Sequence, residues 1–167
     1  TLTEAECLRA FREILSHGTA ILLPTIITAA REVYRRNIPL ILHCAASDEF
    51  KQRIPGLHLE GPFISKEPGA SGAHNPAWMS DSDIKYLDEL ISLAEGKIKI
   101  LTVAAELKGI DELITHASQA GITVSCGHQM AMNPDLERAP KAGAKSITHL
   151  GNGLPGLLPR HPNQIWD

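Results

Sequence analysis

The chain has 167 residues, 43% of them hydrophobic, and a formal net charge of -3, enough for one domain with a sizeable core. No basic stripe or long charge run is present, and no apolar run approaches the roughly 18 residues of a membrane span, which argues against nucleic-acid and membrane partners. Three scattered cysteines, Cys7, Cys44 and Cys126, read as buried reduced thiols rather than a disulfide framework or a thiolate metal site, and the expected location is cytoplasmic.

In chain order one pattern repeats: a helix closes at glycine, a short β-branched strand follows, and polar residues end it. Thr3 and Glu6 make a capping box, with Leu8, Phe11, Ile14 and Leu15 at helical spacing and Gly18 closing the helix. Residues 19–23 read as a strand, stopped at Pro24-Thr25. From Ile26 to Ile54 the period is ambiguous, and helix is preferred because "GLHLE" then becomes the next strand. "ISKEPGASGAHNPAW" is a long Gly/Pro-rich loop, a candidate functional segment. A helix over Ile84–Ala94 leads to a strand at Ile98–Val103 that ends near Glu106. A helix around Leu113–Ala117, closed by Gly121, leads to a strand at Ile122–Cys126 that ends at Gly127-His128. Asn133-Pro134 reads as an N-cap with a proline at the first helical position. The strand at Lys145–Thr148 then ends at His149.

Five strands alternating with helices argue for a parallel α/β sheet. Thr25, Glu60, Glu106, His128 and His149 are read at strand C-terminal ends, where a (β/α)8 barrel builds its active site. A doubly wound sheet would also place ligands there, but no Gly-rich phosphate loop follows any strand. Five strands cannot close an eight-strand barrel of about 250 residues. Residues 1–167 are therefore expected to be a single domain, the central portion of a barrel made of about five βα units. The start at Thr1 without a methionine and the stop at Asp167 after Ile165-Trp166 read as cuts in a longer chain.

Glu60 ends an apolar strand, where an unpaired carboxylate is costly. Two imidazoles and a carboxylate from three strands, Glu60, His128 and His149, are a ligand set for catalytic Zn2+ with one position left for water. On residue types alone the alternative stays open: Glu60 pairs with a lysine or arginine, and the histidines are ordinary core residues.

"GLHLEGPFIS", "GAHNPAW", "SCGH" and "THLGNGLP", in this order and with "PTIIT" upstream, resemble the N-acetylglucosamine-6-phosphate deacetylases of the amidohydrolase superfamily. The resemblance runs from about Thr19 to Arg160. It implies a metal-dependent TIM-type barrel whose one divalent ion (Zn2+, with Fe2+ or Co2+ as substitutes) is held by Glu60, His128 and His149. It implies that His74 contacts the acetyl carbonyl or sugar with Ala73 beside it, and that Asn152 and Gly153 bind the sugar phosphate. Arg160 would reach the phosphate from a neighbouring subunit of a homodimer. The implied reaction converts N-acetylglucosamine 6-phosphate to glucosamine 6-phosphate and acetate in amino-sugar catabolism, with the metal polarising the acetamide carbonyl and activating water. An H-x-H pair and a general-base Asp of the family have no counterpart in these 167 residues. The alternatives are a catalytically silent metal-binding fragment and a related amidohydrolase acting on another amide. The chain departs from the family at Ala105, where proline is usual, at Gln129-Met130, and in "HLGNGLPGLLPRHPN".

Overall fold

The computed structural model describes residues 2–163 and Ile165; Thr1 and Asp167, the two ends read as cuts, lie outside the described residues. Helix α1 spans Glu4–Ser16. Its capping box forms as expected, with the Glu6 carboxylate accepting from the Thr3 N–H at 2.9 Å and Thr3 Oγ1 accepting from the Glu6 N–H at 3.3 Å. Cys7, Phe11 and Leu15 bury one face, and the Phe11 and Phe50 rings meet edge to face at 5.4 Å.

The first strand corrects the sequence expectation. Strand β1 is Thr25–Ile27, and residues 19–23 are not in the sheet. Their backbone is satisfied elsewhere: Leu22 N–H donates to the Arg53 carbonyl at 2.9 Å, and Arg53 Nε donates to the Ala20 carbonyl at 3.0 Å. Pro24 does not stop a strand but introduces one, its carbonyl accepting from His58 N–H at 3.1 Å. Proline is tolerated at a strand's first residue because the ladder asks no donor of it there. Thr25 therefore begins β1 rather than ending a strand.

Helix α2, Arg31–Ala45, buries Tyr34, Ile38, Ile41, Leu42 and Ala45, and an exposed Pro39 sits within it. Strand β2 is Leu57–Glu60, α3 is Ile84–Leu93 and β3 is Ile98–Val103. Helix α4, Ile110–Gln119, precedes β4, Thr123–Cys126; α5, Asn133–Ala142, precedes β5, Ala144–Ile147. The α5 cap shifts by one residue: Met132 is the N-cap and Asn133 is already helical, and Asp135 accepts from the Met132 N–H at 3.0 Å.

All five strands are parallel in the order β1-β2-β3-β4-β5. The order never reverses, so there is no topological switch point and the doubly wound alternative falls. Each helix packs on the next, α1 on α2 through α4 on α5, which gives the curved βα succession of a partial barrel. Leu57, Leu59, Leu101 and Val124 are fully buried in the sheet. Glu60, His128 and His149 all lie at or just past strand C-terminal ends, at the same mouth of the sheet. There the loops are laced together by Gly61 N–H to the Thr102 carbonyl, Gly127 N–H to the Val103 carbonyl and Ser65 N–H to the His128 carbonyl, at 2.9–3.1 Å.

Candidate metal centre

Glu60 is the last residue of β2, His128 lies two residues past β4, and His149 two past β5. Their ligand atoms all lie within 4.8 Å of one another. His149 Nε2 is 3.1 Å from Glu60 Oε1 and 3.1 Å from His128 Nε2, and His128 Nε2 is 3.4 Å from Glu60 Oε1.

The other ring nitrogens decide what these atoms offer. His128 Nδ1 lies 2.8 Å from the Ala70 carbonyl, and His149 Nδ1 lies 3.2 Å from the Asn152 carbonyl. A carbonyl only accepts, so both Nδ1 atoms carry the proton and both Nε2 lone pairs face the carboxylate. Three acceptors thus converge with no donor of their own. The ion-pair partners of Glu60 among the described residues are His74, His128 and His149, with no lysine or arginine. Ligands at the usual zinc distances stand about 3.3–3.6 Å apart on a tetrahedron, close to the spacing here. The donor set therefore fits a divalent cation.

Without a metal, one proton is shared instead. Hydrogen bonds from His128 and then His74 hold the Glu60 carboxyl well below the usual carboxylate range. Burial works against a charged His128, but the Glu60 carboxylate and the Ala70 carbonyl outweigh it and raise its pKa.

Backbone geometry also marks the centre. His128 has φ +50° and His149 φ +32°, left-handed conformations that cost a non-glycine residue free energy and persist only where neighbours enforce them. Two left-handed glycines flank the His128 ring: a Cβ on Gly72 would sit 3.0 Å from its Cε1, and one on Gly153 3.2 Å from its Nδ1.

His74, from the long loop, is buried and its Nε2 lies 3.5 Å from Glu60 Oε2. Its Nδ1 accepts from the Thr28 N–H at 3.2 Å, so its own proton sits on Nε2 and points into the centre. Thr28 also donates its hydroxyl to the Glu60 carbonyl at 3.2 Å. Thr28, not Thr25, is the working residue past β1, and "PTIIT" carried it unassigned.

Ala73 is exposed beside His74. The Asn152 side-chain oxygen accepts from the Gly153 N–H at 2.7 Å. Asn152 shares a small cavity of about 80 Å³ with Gly127, His128, Gln129 and Thr148. Arg160 is exposed and lies with Leu158, Pro159, His161 and Asn163 around a separate depression; the structure does not bring it to the trio. The larger groove between α4 and α5 holds charges that are already matched, Arg138 with Asp111 and Asp135, and His116 with Asp88.

A polar chain runs beneath the centre through His58, which shares the strand face of Glu60 and reads from sequence as a core or supporting histidine; the sequence does not foresee its threonine partners. Thr25 Oγ1 lies 3.2 Å from His58 Nδ1, His58 Nε2 lies 2.8 Å from Thr102 Oγ1, and the Thr102 and Thr148 hydroxyls are 2.8 Å apart. Thr148 donates to Ser125 Oγ at 2.8 Å. Alternation along β2 and β3 marks these as inward positions, but nothing local pairs them. The three cysteines are free and buried, as expected. Among the described residues no helix is long and apolar enough to cross a membrane.

No family model matches the chain. The chain is 35% identical over 158 residues to an N-acetylglucosamine-6-phosphate deacetylase of Caenorhabditis elegans, covering 92% of this chain and 37% of that one. It is 40% identical over 151 residues to the Bacillus subtilis (strain 168) protein of the same name, covering 89% of this chain and 38% of that one. Among solved structures, the D267A mutant of the Mycobacterium smegmatis N-acetyl-D-glucosamine-6-phosphate deacetylase, in complex with N-acetyl-D-glucosamine-6-phosphate, superposes with a TM-score of 0.86. It is 29% identical, and the match covers 98% of this chain and 41% of that one. The chain thus spans under two-fifths of the length of these curated relatives, and over about nine-tenths of its own residues it is a relative of the N-acetylglucosamine-6-phosphate deacetylases.

Proposed function

We propose that residues 1–167 are the metal-binding and part of the sugar-binding portion of a barrel enzyme that removes the acetyl group from N-acetylglucosamine 6-phosphate. The observation that carries this reading is the convergence of Glu60 Oε1, His128 Nε2 and His149 Nε2 with both Nδ1 protons committed to backbone carbonyls. Glu60, His128 and His149 would hold one divalent ion, zinc by its donor set, with Fe2+ or Co2+ as substitutes. When bound, such an ion supplies Lewis acidity towards a carbonyl and acidifies water.

The protein's own groups do the rest. His74 presents Nε2–H to the acetamide oxygen as negative charge develops there, an interaction typically worth roughly 3 kcal/mol in the transition state. The Thr28 N–H on Nδ1 holds that tautomer, and burial of His74 keeps competing water from its face. Ala73, beside His74, offers backbone to the sugar; Asn152 and Gly153 hold its far end next to His128. Arg160 is suited to a phosphate as a bidentate donor. Its exposed position away from the trio agrees with phosphate binding across a homodimer interface. A cytoplasmic role in amino-sugar catabolism follows from that substrate.

The test is metal content. The chain should take up one equivalent of Zn2+ from buffer and retain it on dialysis, and His128→Ala or His149→Ala should abolish retention. Unchanged metal content in both variants overturns the reading. N-acetylglucosamine 6-phosphate should shift the Asn152 and Gly153 amide resonances more than the unphosphorylated sugar; equal shifts remove the phosphate from the proposed specificity.

A further inference from the structure

His128 is held in a backbone conformation that costs a non-glycine residue free energy. Its φ of +50° is held at a non-glycine residue, and glycines flank its ring on two sides. Two side chains that are not themselves among the candidate metal ligands pin the main chain that follows it. Gln129 is buried, and its Oε1 accepts from the Ala105 N–H at 3.2 Å. Ala105 is itself fully buried, so that N–H would otherwise have no partner. Glu106 reaches back across the same gap, its Oε1 accepting from the Met130 N–H at 2.7 Å.

The two bonds run in opposite senses between the same loops. The loop after β3 donates to a side chain of the loop after β4, and the loop after β4 donates to a side chain of the loop after β3. Together with the Gly127 N–H bond to the Val103 carbonyl at 3.0 Å, they tie residues 103, 105 and 106 to 127, 129 and 130, bracketing His128 on both sides. Arg138 adds a brace from α5 by donating to the Ala105 carbonyl at 3.1 Å.

We propose that Gln129 and Glu106 are positioning residues for His128, clamping the β3 and β4 loops so that the imidazole holds its left-handed backbone conformation with Nε2 aimed at Glu60 and His149. A left-handed residue between two free loop ends would relax by peptide rotation and swing the ring away; with its neighbours tied to a rigid strand end it cannot. The Ala105 N–H makes Gln129 necessary, because proline at that position would need no acceptor. The clamp is thus a device for metal affinity, and in that respect it rests on the metal reading above. Partners that orient metal ligands are typically worth about 10–100-fold in affinity.

The experiment uses the whole chain with Glu106→Ala, Glu106→Gln, Gln129→Ala and Gln129→Met. Zn2+ affinity is read by competition with a chromogenic chelator, and ligand geometry by the visible spectrum of the Co2+ form. In the metal-free chain, NMR follows the His128 Nδ1–H resonance and the exchange of the Ala105 and Met130 amides. Glu106→Ala and Gln129→Ala should each weaken Zn2+ binding about 10–100-fold and alter the Co2+ spectrum. Glu106→Gln, which keeps an acceptor for Met130, should stay within about 3-fold of the unaltered chain. Gln129→Met keeps the volume without the acceptor; it should behave like Gln129→Ala and replaces it if the alanine variant does not fold.

Full affinity with an unchanged Co2+ spectrum in the alanine or methionine variants overturns the clamp. So does a loss in Glu106→Gln as large as in Glu106→Ala, which would make the role one of charge or packing. If the unaltered chain binds no Zn2+, the metal reading falls by itself. The clamp is then decided by the metal-free signals: a His128 Nδ1–H resonance that persists unchanged in Glu106→Ala and Gln129→Met overturns it, and its loss with faster Met130 and Ala105 exchange sustains it.

Discussion

Replacing Thr102 with valine removes one hydroxyl from the polar chain beneath the centre while keeping shape and volume. Thr102 is fully buried, and its hydroxyl joins His58 Nε2 to Thr148 Oγ1, each at 2.8 Å. The proton order follows from the far end. Thr148 donates to Ser125, so Thr102 donates to Thr148, and His58 must donate Nε2–H to Thr102. His58 Nδ1 is then left to accept from Thr25. Burial lowers the His58 pKa, which agrees with a neutral ring in this role. In Thr102→Val two bonds are lost, each worth about 0.5–1.5 kcal/mol net. Thr148 keeps Ser125, but His58 Nε2–H is stranded, adding about 1–3 kcal/mol. The expected loss is about 2–6 kcal/mol, or roughly 4–24 °C in melting temperature for a chain of this size. Urea denaturation of the metal-free chain measures it, with an unchanged slope showing that the denatured state is the same. Thr102→Ser should recover most of the loss. A loss below about 1 kcal/mol in Thr102→Val would refute the ordering, because a satisfied buried chain cannot be broken so cheaply.

The Glu60–His128 pair predicts a pH window for the metal-free chain. Glu60 is depressed from 4.5, so its contribution is present above about pH 4.5 and lost as pH falls through its lower folded value; His128 is raised from 6.5, so its contribution is present below about pH 6.5 and lost as pH rises through its higher folded value. Both are in place between those limits, so Glu60→Gln should flatten the losses below about pH 4.5 and above about pH 6.5, and a stability profile identical in Glu60→Gln would exclude the pair as its cause. Gly153→Ala should cost about 1–2 kcal/mol for its left-handed φ of +72°. It should also weaken Zn2+ binding, since the new Cβ would stand 3.1 Å from His149 Cε1 and 3.2 Å from His128 Nδ1; unchanged affinity by chelator competition would mean that the rings give way freely. The Zn2+-loaded 167-residue chain should release no more than a trace of acetate from N-acetylglucosamine 6-phosphate, because the described aspartates lie on helices or in the loops that join helices to strands, and none joins the trio. General acid–base help is worth about 10²–10⁴-fold, so turnover matching the relatives would place the proton shuttle on Glu106 or His74.

Local patterns by themselves determined the helices other than α2, whose stretch was ambiguous in period, four of the five strands, and the three candidate ligands at strand ends. Thr3 and Glu6 cap α1 through residues three apart, and Glu60, His128 and His149 follow short apolar strands, so each signal lies within one turn or one strand. Two β-branched stretches, residues 19–23 and Thr25–Ile27, competed for the first strand, and local propensity could not separate them. Arg53 settled it by taking the Ala20 carbonyl from 33 residues away. The same limit hid Thr28 as the group that sets the His74 tautomer 46 residues on, and Gln129 as the acceptor for Ala105. Which atom of an imidazole carries its proton, and whether a buried N–H finds an oxygen, depend on partners that only the folded sheet brings within hydrogen-bonding distance. Residue type and spacing could name the ligands, but their aim came from hydrogen bonds between loops that are distant in the chain and neighbours only once the parallel strands have paired.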